Sequence, residues 1–307
     1  MLDYQTVIKM KNSFKGIFCL LIATLIWGST FVAQSVGMDY IGPFTFQASR
    51  CLLAVVVLLP VIGVTDRFKK NGKTFASRWK DKKLWKTGLL CGIPLFLACN
   101  LQQVGIVDTD AGKTGFLTAM YIVFVPILGI FFRRKPSRWI PVSVILGAAG
   151  LYCLSCVGVT TISRSDLLLL GCALMFAFQI LFVDIFGGEL DSLRLNWIQS
   201  MVCAVLSAIV MFLTEEVSWK ALLDCWLPIC YAGILSMGIA YSLQIVGQKF
   251  LTPTPAALLM SLESVFAVLC GCLILHETLT IWETIGCILV FIAVILSQLP
   301  DKKKSKV

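Results

Sequence analysis

The chain has 307 residues, of which 58% are hydrophobic and 14% are charged, and its mean hydropathy is +0.88. Soluble domains carry about 25% charged residues, so this composition excludes an ordinary soluble protein and predicts an integral membrane protein. The net charge of +9 could indicate a nucleic-acid partner. However, the basic residues lie in short runs between apolar segments, where they set membrane orientation instead.

Ten apolar segments follow one another along the chain, each close to the roughly 20 residues that a helix needs to cross a bilayer. They predict an all-α integral membrane protein with no sizeable soluble domain. The predicted spans are residues 16–36, 43–63, 86–106, 112–133, 138–157, 166–186, 193–213, 226–248, 254–275 and 281–299.

The distribution of basic residues predicts the orientation of these spans. If the N-terminus is cytoplasmic, the cytoplasmic segments contain 22 of the 26 Lys and Arg residues, and the external loops contain three. Positive charge is retained on the cytoplasmic side of membranes. We therefore expect a multi-pass protein of a bacterial cytoplasmic membrane with both termini inside.

The sequence LQQVG at Leu101–Gly105 returns as LQIVG at Leu243–Gly247. The same spacing of 142 residues continues without a gap over about thirty positions, through Ala98 and Ala240, Leu117 and Leu259, and Gly129 and Gly271. Such a register predicts an internal duplication. Each half holds five spans, and an odd number inverts the second copy relative to the first. Inverted repeats are a recurring design of secondary transporters.

Three stretches resemble the EamA-type repeats of the drug/metabolite transporter superfamily. They are WGSTFVAQ at Trp27–Gln34, RCLLA beginning at Arg50, and the long segment Ala256–Val290. The resemblance implies one repeat at 14–158, a second at 165–299, and a basic cytoplasmic tail at 300–307. It also implies a central cavity lined by the first, third, fourth, sixth, eighth and ninth helices. Family members commonly have Pro where this chain has Ser264, and Gly where it has His276.

Polar and aromatic side chains within the spans are the candidates for a substrate-binding cavity, because such groups cost free energy in lipid unless they pair or face water. Many of them recur on single helical faces. Gln102 and Gln244 hold equivalent repeat positions and offer both donors and acceptors. The predicted substrate-binding residues are Trp27, Thr30, Gln34, Phe96, Gln102, Tyr121, Gln179, Tyr241, Gln244 and Glu263.

Two charged residues lie more than one helical turn from both ends of a predicted span. Glu263 could couple transport to protons or bind an amine, but we favour a structural carboxyl bonded to a neighbouring helix, with Tyr121 as the candidate partner. Arg50 lies about two turns into the second span, so we expect it to extend to the interface as an anchor rather than bind an anion.

These features predict a secondary active transporter that works by alternating access and exports amino acids or related metabolites. The alternatives are a vitamin or nucleobase importer, a drug efflux permease, or, from another class, a membrane-embedded enzyme. An enzyme is disfavoured because the chain has no HExxH motif, no P-loop and one histidine. Thirteen cysteines in mostly apolar surroundings, Cys153 and Cys156 among them, predict neither disulfides nor a metal site. We expect no cofactor, a small-molecule substrate, the proton as candidate coupling ion, and a monomer or homodimer.

Overall fold

The computed structural model describes residues 4–68, 74–109, 111–133, 138–155, 163–275 and 280–299. These ranges contain helices and turns and no strand. The sequence features at Cys156, at His276 and in the tail at 300–307 lie outside the described residues.

The first half of the chain forms five apolar helical spans and short connecting elements. Its elements are helices Tyr4–Gly37, Pro43–Phe68, Phe75–Arg78 and Lys82–Gly105, a 3-10 turn at Ile106–Asp108, and helices Ala111–Ala119, Tyr121–Phe131 and Ile140–Ser155. We count Ala111–Phe131 as the fourth span, interrupted at Met120. Helices form here because lipid offers no partner for a free backbone N–H or C=O group.

The second half repeats this order. Its elements are helices Arg164–Phe186, Ser192–Thr214, Trp219–Asp224 and Trp226–Cys230, a π-helix at Tyr231–Ala240, and helices Tyr241–Gln248, Pro253–Met260, Leu262–Leu275 and Ile281–Ser297. Trp226–Gln248 is the eighth span, and the ninth is interrupted at Ser261. Capping boxes begin the sixth span at Ser163 and the tenth at Thr280. Each box satisfies backbone N–H groups that the first turn leaves free.

Among the described residues, eight helical segments are long and apolar enough to cross a membrane. Two further apolar helices, Ile140–Ser155 and Ile281–Ser297, supply the fifth and tenth spans. The prediction of ten membrane helices is confirmed.

The packing of the helices follows the inverted duplication. The second span packs on the seventh and the fifth on the tenth, and each of these pairs maps onto itself when the copies are exchanged. The remaining contacts occur as equivalent pairs. The third span packs on the sixth, and its equivalent, the eighth, packs on the first. The fourth span also packs on the sixth, and its equivalent, the ninth, also packs on the first. The two copies therefore form one interlocked bundle related by a pseudo-two-fold axis.

Two hydrogen bonds lie on that axis, because each joins two residues that are equivalent in the two copies. In both, the partners are separated by the 142 residues that relate the third and fourth spans to the eighth and ninth. They are Tyr121 Oη to Glu263 Oε1 at 3.0 Å, and the Cys99 Sγ and Tyr241 Oη pair at 3.6 Å. Equivalent residues can touch only near the axis, so these bonds locate it.

The glycines that end the duplicated LQxVG motif have the same packing role in both copies. A Cβ on Gly105 would lie 2.7 Å from Cγ of Leu169, and a Cβ on Gly247 would lie 2.7 Å from Cγ of Leu20. Both glycines therefore admit the neighbouring helix at close range. Leu20 and Leu169 also become equivalent positions of the first and sixth spans.

Polar contacts fasten both ends of the pair formed by the second and seventh spans. At one end the Glu215 carboxylate accepts from the backbone N–H groups of Phe44 and Thr45, at 2.9 and 2.8 Å. A carboxylate at a helix N-terminus also interacts favourably with the helix dipole. At the other end the buried Arg194 guanidinium pairs with Asp66. This pair of spans is thus held at both membrane faces.

The fifth and tenth spans meet backbone to backbone. A Cβ on Gly286 would lie 2.7 Å from the Gly150 carbonyl oxygen, and a Cβ on Gly150 would lie 2.9 Å from the Gly286 carbonyl oxygen. Small residues allow this kind of close helix approach in membranes. Because the neighbours are backbone atoms, no side-chain rotation can relieve a larger residue at either position.

We expect Gly286→Ala to destabilise the protein by about 1–3 kcal/mol, the usual cost of overpacking. Gly63→Ala is the matched control, since nothing lies within 4 Å of the methyl group that it adds on the second span. Thermal unfolding in detergent should show a lower midpoint for Gly286→Ala alone. Equal midpoints for the two variants would contradict this close packing.

Candidate functional site

A cavity of about 40 Å³ lies at the centre of the bundle and is enclosed by side chains of seven spans. Its walls combine aromatic, amide and charged side chains. The lining residues are Trp27, Phe31, Gln34, Arg50, Gln102, Tyr121, Phe176, Ile180, Ser236, Tyr241, Gln244, Met260 and Glu263. They come from the six helices that the resemblance implies and from the second span, which it does not.

Seven of the ten residues predicted from the sequence line this cavity, and three do not. Thr30 is buried and donates to the Ile26 carbonyl of its own helix. Phe96 is half-buried and packs against the apolar core. Gln179 lies one layer behind the lining, where its Oε1 accepts from Gln244 Nε2 at 2.9 Å.

Interrupted helices position the acidic part of the cavity. The fourth span breaks at Met120, directly before Tyr121, and the ninth breaks at Ser261, two residues before Glu263. The Tyr121 hydroxyl donates to Glu263 Oε1 at 3.0 Å, and both side chains are at least 95% buried. The predicted contact between the two residues is therefore present. Broken helices beside a central site are a known feature of transporters with inverted repeats.

The aromatic wall has a defined geometry. The Trp27 and Tyr241 rings meet edge to face at 5.0 Å, and those of Tyr121 and Phe176 do so at 6.5 Å. Gly28 directly follows Trp27, and a Cβ on it would lie 2.7 Å from the Glu263 carbonyl oxygen. This glycine therefore lets the first span approach the ninth closely. The WGST motif thereby brings Trp27 to the same cavity as Glu263.

The cavity also contains polar atoms without a protein partner. Among the described residues, no hydrogen bond reaches the buried Nε1 of Trp27 or the buried Oε1 of Gln244. Buried polar atoms are nearly always hydrogen-bonded. One free donor and one free acceptor are therefore available to a bound solute or to water.

A chain of buried amides leads from the cavity to the π-helix of the eighth span. Gln244 bonds to Gln179, Gln179 donates to Gln199 at 3.2 Å, and Gln199 donates to Asn196 at 3.0 Å. Asn196 Nδ2 in turn donates to the carbonyls of Met237 and Gly238, at 2.9 and 3.1 Å. The chain supports the π-helix next to Ser236, which lines the cavity. π-Helical segments are rare and are frequently found at functional sites.

The expectation for Arg50 as an interfacial anchor is wrong. Its side chain does not extend to the surface, because the residue is only 2% exposed and lines the central cavity. Its Nη1 donates to Gln34 Oε1 and its Nε to Gln47 Oε1, each at 2.7 Å. These buried glutamines hold the guanidinium inside the bundle.

The other lining residues missing from the sequence prediction are Phe31, Phe176, Ile180, Ser236 and Met260. Four of them are apolar, and lipid-facing positions of the same spans are apolar too. Phe31 follows Trp27 by four residues and so lies on the same helical face, which could have identified it.

A second cavity lies beyond the ends of the sixth and eighth spans. It is lined by Val183, Asp184, Gly188 and the segment 248–252. Gln248 of this cavity donates through Nε2 to the carbonyl of Ile180, at 3.1 Å. Ile180 lines the central cavity. The hydrogen bond between Gln248 and Ile180 therefore joins the walls of the two cavities.

The chain matches known proteins over nearly its whole length. The model of the EamA-like transporter family matches it twice, at residues 14–156 and 163–299. A protein of Archaeoglobus fulgidus, named as an uncharacterized transporter, is 30% identical over 91% of this chain and 84% of its own length. The uncharacterized transporter YoaV of Bacillus subtilis is 24% identical over 88% of this chain and 92% of its own length.

A solved crystal structure, 16% identical in sequence, superposes with a TM-score of 0.74 over 92% of this chain and 96% of the other. At that identity the likeness shows the fold alone. The family match covers both copies of the repeat, and the relatives cover most of the chain. This multi-pass membrane protein therefore belongs to the EamA-like transporter family.

Proposed function

We propose that this protein is a secondary active transporter that exports amino acids or related small metabolites by alternating access. The supporting observation is the central cavity, which is built from both inverted copies and combines aromatic, amide and charged walls. In transporters of this design, the repeats at 14–158 and 165–299 would exchange packing around a fixed site near the midplane. The EamA resemblance implies export or exchange of small metabolites, and we propose export.

The chemistry of the lining supports a small zwitterion as cargo. Gln34, Gln102 and Gln244 supply amide donors and acceptors. The rings of Trp27 and Tyr241 supply apolar and cation-π surface. A free amino acid presents an ammonium group, a carboxylate and a side chain, and each finds a matching group in this cavity.

The charge distribution supports a cytoplasmic location of both termini in a bacterial cytoplasmic membrane. The loop between the second and third spans is basic at Lys80, Lys82, Lys83 and Lys86, whereas the loop after the seventh span holds Glu215 and Glu216. Ten spans place both termini on the side of the basic loop, which is the cytoplasmic side by the positive-inside rule.

We expect Gln102→Ala and Gln244→Ala each to raise the KM for the transported amino acid about 2–10-fold, since each removes one or two neutral hydrogen bonds of about 0.5–1.5 kcal/mol. Counterflow in proteoliposomes, with a panel of labelled amino acids, measures this. Gln298→Ala is the control, because Gln298 is half-buried at the end of the tenth span and bonds to Pro255 outside the cavity. Unchanged kinetics in both cavity variants would remove these glutamines from the site.

Cysteine labelling tests the orientation. Ser218 lies in the loop after the seventh span and Lys83 in the first turn of the third span, and both are exposed. The proposed orientation puts them on opposite faces of the membrane. In intact cells, an impermeant maleimide should label Ser218→Cys, and it should label Lys83→Cys only after the membrane is opened. Wild-type protein gives the baseline from native thiols. The reverse pattern would place both termini outside and contradict the proposed orientation.

We expect Glu263→Gln to fold and to keep the pH dependence of transport, because the amide oxygen can still accept from Tyr121. Glu263→Leu should lower the free energy of unfolding by about 1–3 kcal/mol, since it leaves a buried hydroxyl without a partner. Thermal unfolding and flux at several pH values measure both effects. A Glu263→Gln variant whose transport no longer depends on pH would instead assign proton coupling to this carboxyl.

A further inference from the structure

Arg50 is a buried cation in the wall of the central cavity. Its residue is 2% exposed, and its guanidinium lies 5.7 Å from the centre of the Phe46 ring. Among the described residues, it donates only to the neutral carbonyls of Gln34 and Gln47, and no carboxylate lies within ion-pair distance. The structure thus holds a positive charge within the membrane region without a negative partner.

This charge cannot be removed by loss of a proton. A guanidinium stays protonated in proteins. A buried charge without a partner costs several kcal/mol. Ionisable residues inside membranes usually face a cavity and mark the path of a substrate or ion. An anion inside the cavity would offset the charge of Arg50.

The guanidinium is fixed in place before any anion arrives. Its bonds to Gln34 and Gln47 use two of its five N–H groups, and the others have no partner among the described residues. Gln47 is itself held by the sulfur atoms of Cys51 and Cys203, at 3.0 and 3.2 Å. A fixed, planar guanidinium with free N–H groups matches the two oxygens of a carboxylate.

We infer that Arg50 binds the carboxylate of the transported solute and so restricts the cargo to small carboxylates, amino acids among them. This inference rests on the proposed function, in which the cavity holds the transported solute. One guanidinium compensates one negative charge, which favours a carboxylate over a phosphate dianion. The apolar part of the solute would contact the aromatic wall formed by Trp27, Phe31, Phe176 and Tyr241.

Matched ligands test the assignment on the wild-type protein. The carboxylate set is L-leucine, L-phenylalanine, isocaproate and hydrocinnamate, and the set without a carboxylate is L-leucinamide, L-phenylalaninamide and adenine. Binding is measured by thermal shift of the purified full chain, and flux is measured in proteoliposomes. We expect members of the carboxylate set to bind at least about 10-fold more tightly than their amides, as a charge-assisted hydrogen bond requires.

Variants of Arg50 give the second arm. Arg50→Gln should weaken carboxylate binding about 10–100-fold and leave amide binding unchanged. Arg50→Lys keeps the positive charge but lacks the planar pair of N–H donors, so it should weaken carboxylate binding less than Arg50→Gln does. It replaces Arg50→Gln in the test if that variant does not fold. Arg67→Gln is the control, since it removes the same charge at an exposed position of the same helix.

Each contrary result has a distinct meaning. If amides or adenine are transported and carboxylates are not preferred, the protein is still a transporter, but Arg50 does not select carboxylates. A carboxylate preference that survives in both Arg50 variants would overturn the role of Arg50 as well. The same holds if chloride alone produces the whole Arg50-dependent shift and no carboxylate competes with it. Proteoliposomes that move no member of either set would overturn the proposed export of amino acids, and the inference with it.

Discussion

The hydrogen bond between Tyr121 and Glu263 joins the two copies of the repeat at equivalent positions, and the rest of the structure depends on that meeting. Residues related by a two-fold axis touch only beside it, so the bond fixes where the inverted copies face each other. Lipid gives polar groups no other partner. Tyr121, Tyr241 and Glu263 all lie beside this axis and line the central cavity, so the cavity forms there.

The pseudo-two-fold symmetry determines which positions line the cavity. Residue differences between the two copies determine which chemical groups those positions present. Trp27 and Phe176 follow the equivalent Leu20 and Leu169 by the same spacing, and both line the cavity. Gln102 and Gln244 are also equivalent and both line it. In contrast, Tyr121 faces its equivalent Glu263, and Arg50 has no cationic counterpart, because Gln199 holds its equivalent position at the same spacing that separates Leu20 from Leu169. A duplicated scaffold thus presents different groups on opposite walls of one chamber.

The eighth span shows how the second copy departs from the first. It contains the π-helix Tyr231–Ala240, where the third span is a continuous α-helix. A π-turn changes which backbone carbonyls are bonded within the helix, and Asn196 donates to two of the carbonyls in this region. The chain of amides from Gln244 to Asn196 therefore links the lining of the cavity to an irregular helix by direct contacts.

The sequence alone determined the membrane class, the ten spans, the inverted duplication and most of the polar lining. These follow from apolar length, an exact register of repeated residues and the cost of polar groups in lipid, all of which can be counted along a chain. Only the tertiary structure decided that Arg50 points into the cavity, that Gln179 lies one layer behind it, and that apolar residues such as Phe176 complete its wall. Depth in the membrane can be estimated from residue number. The direction of a side chain depends on how helices rotate and pack against their neighbours, and an apolar residue suits the lipid and the cavity equally well.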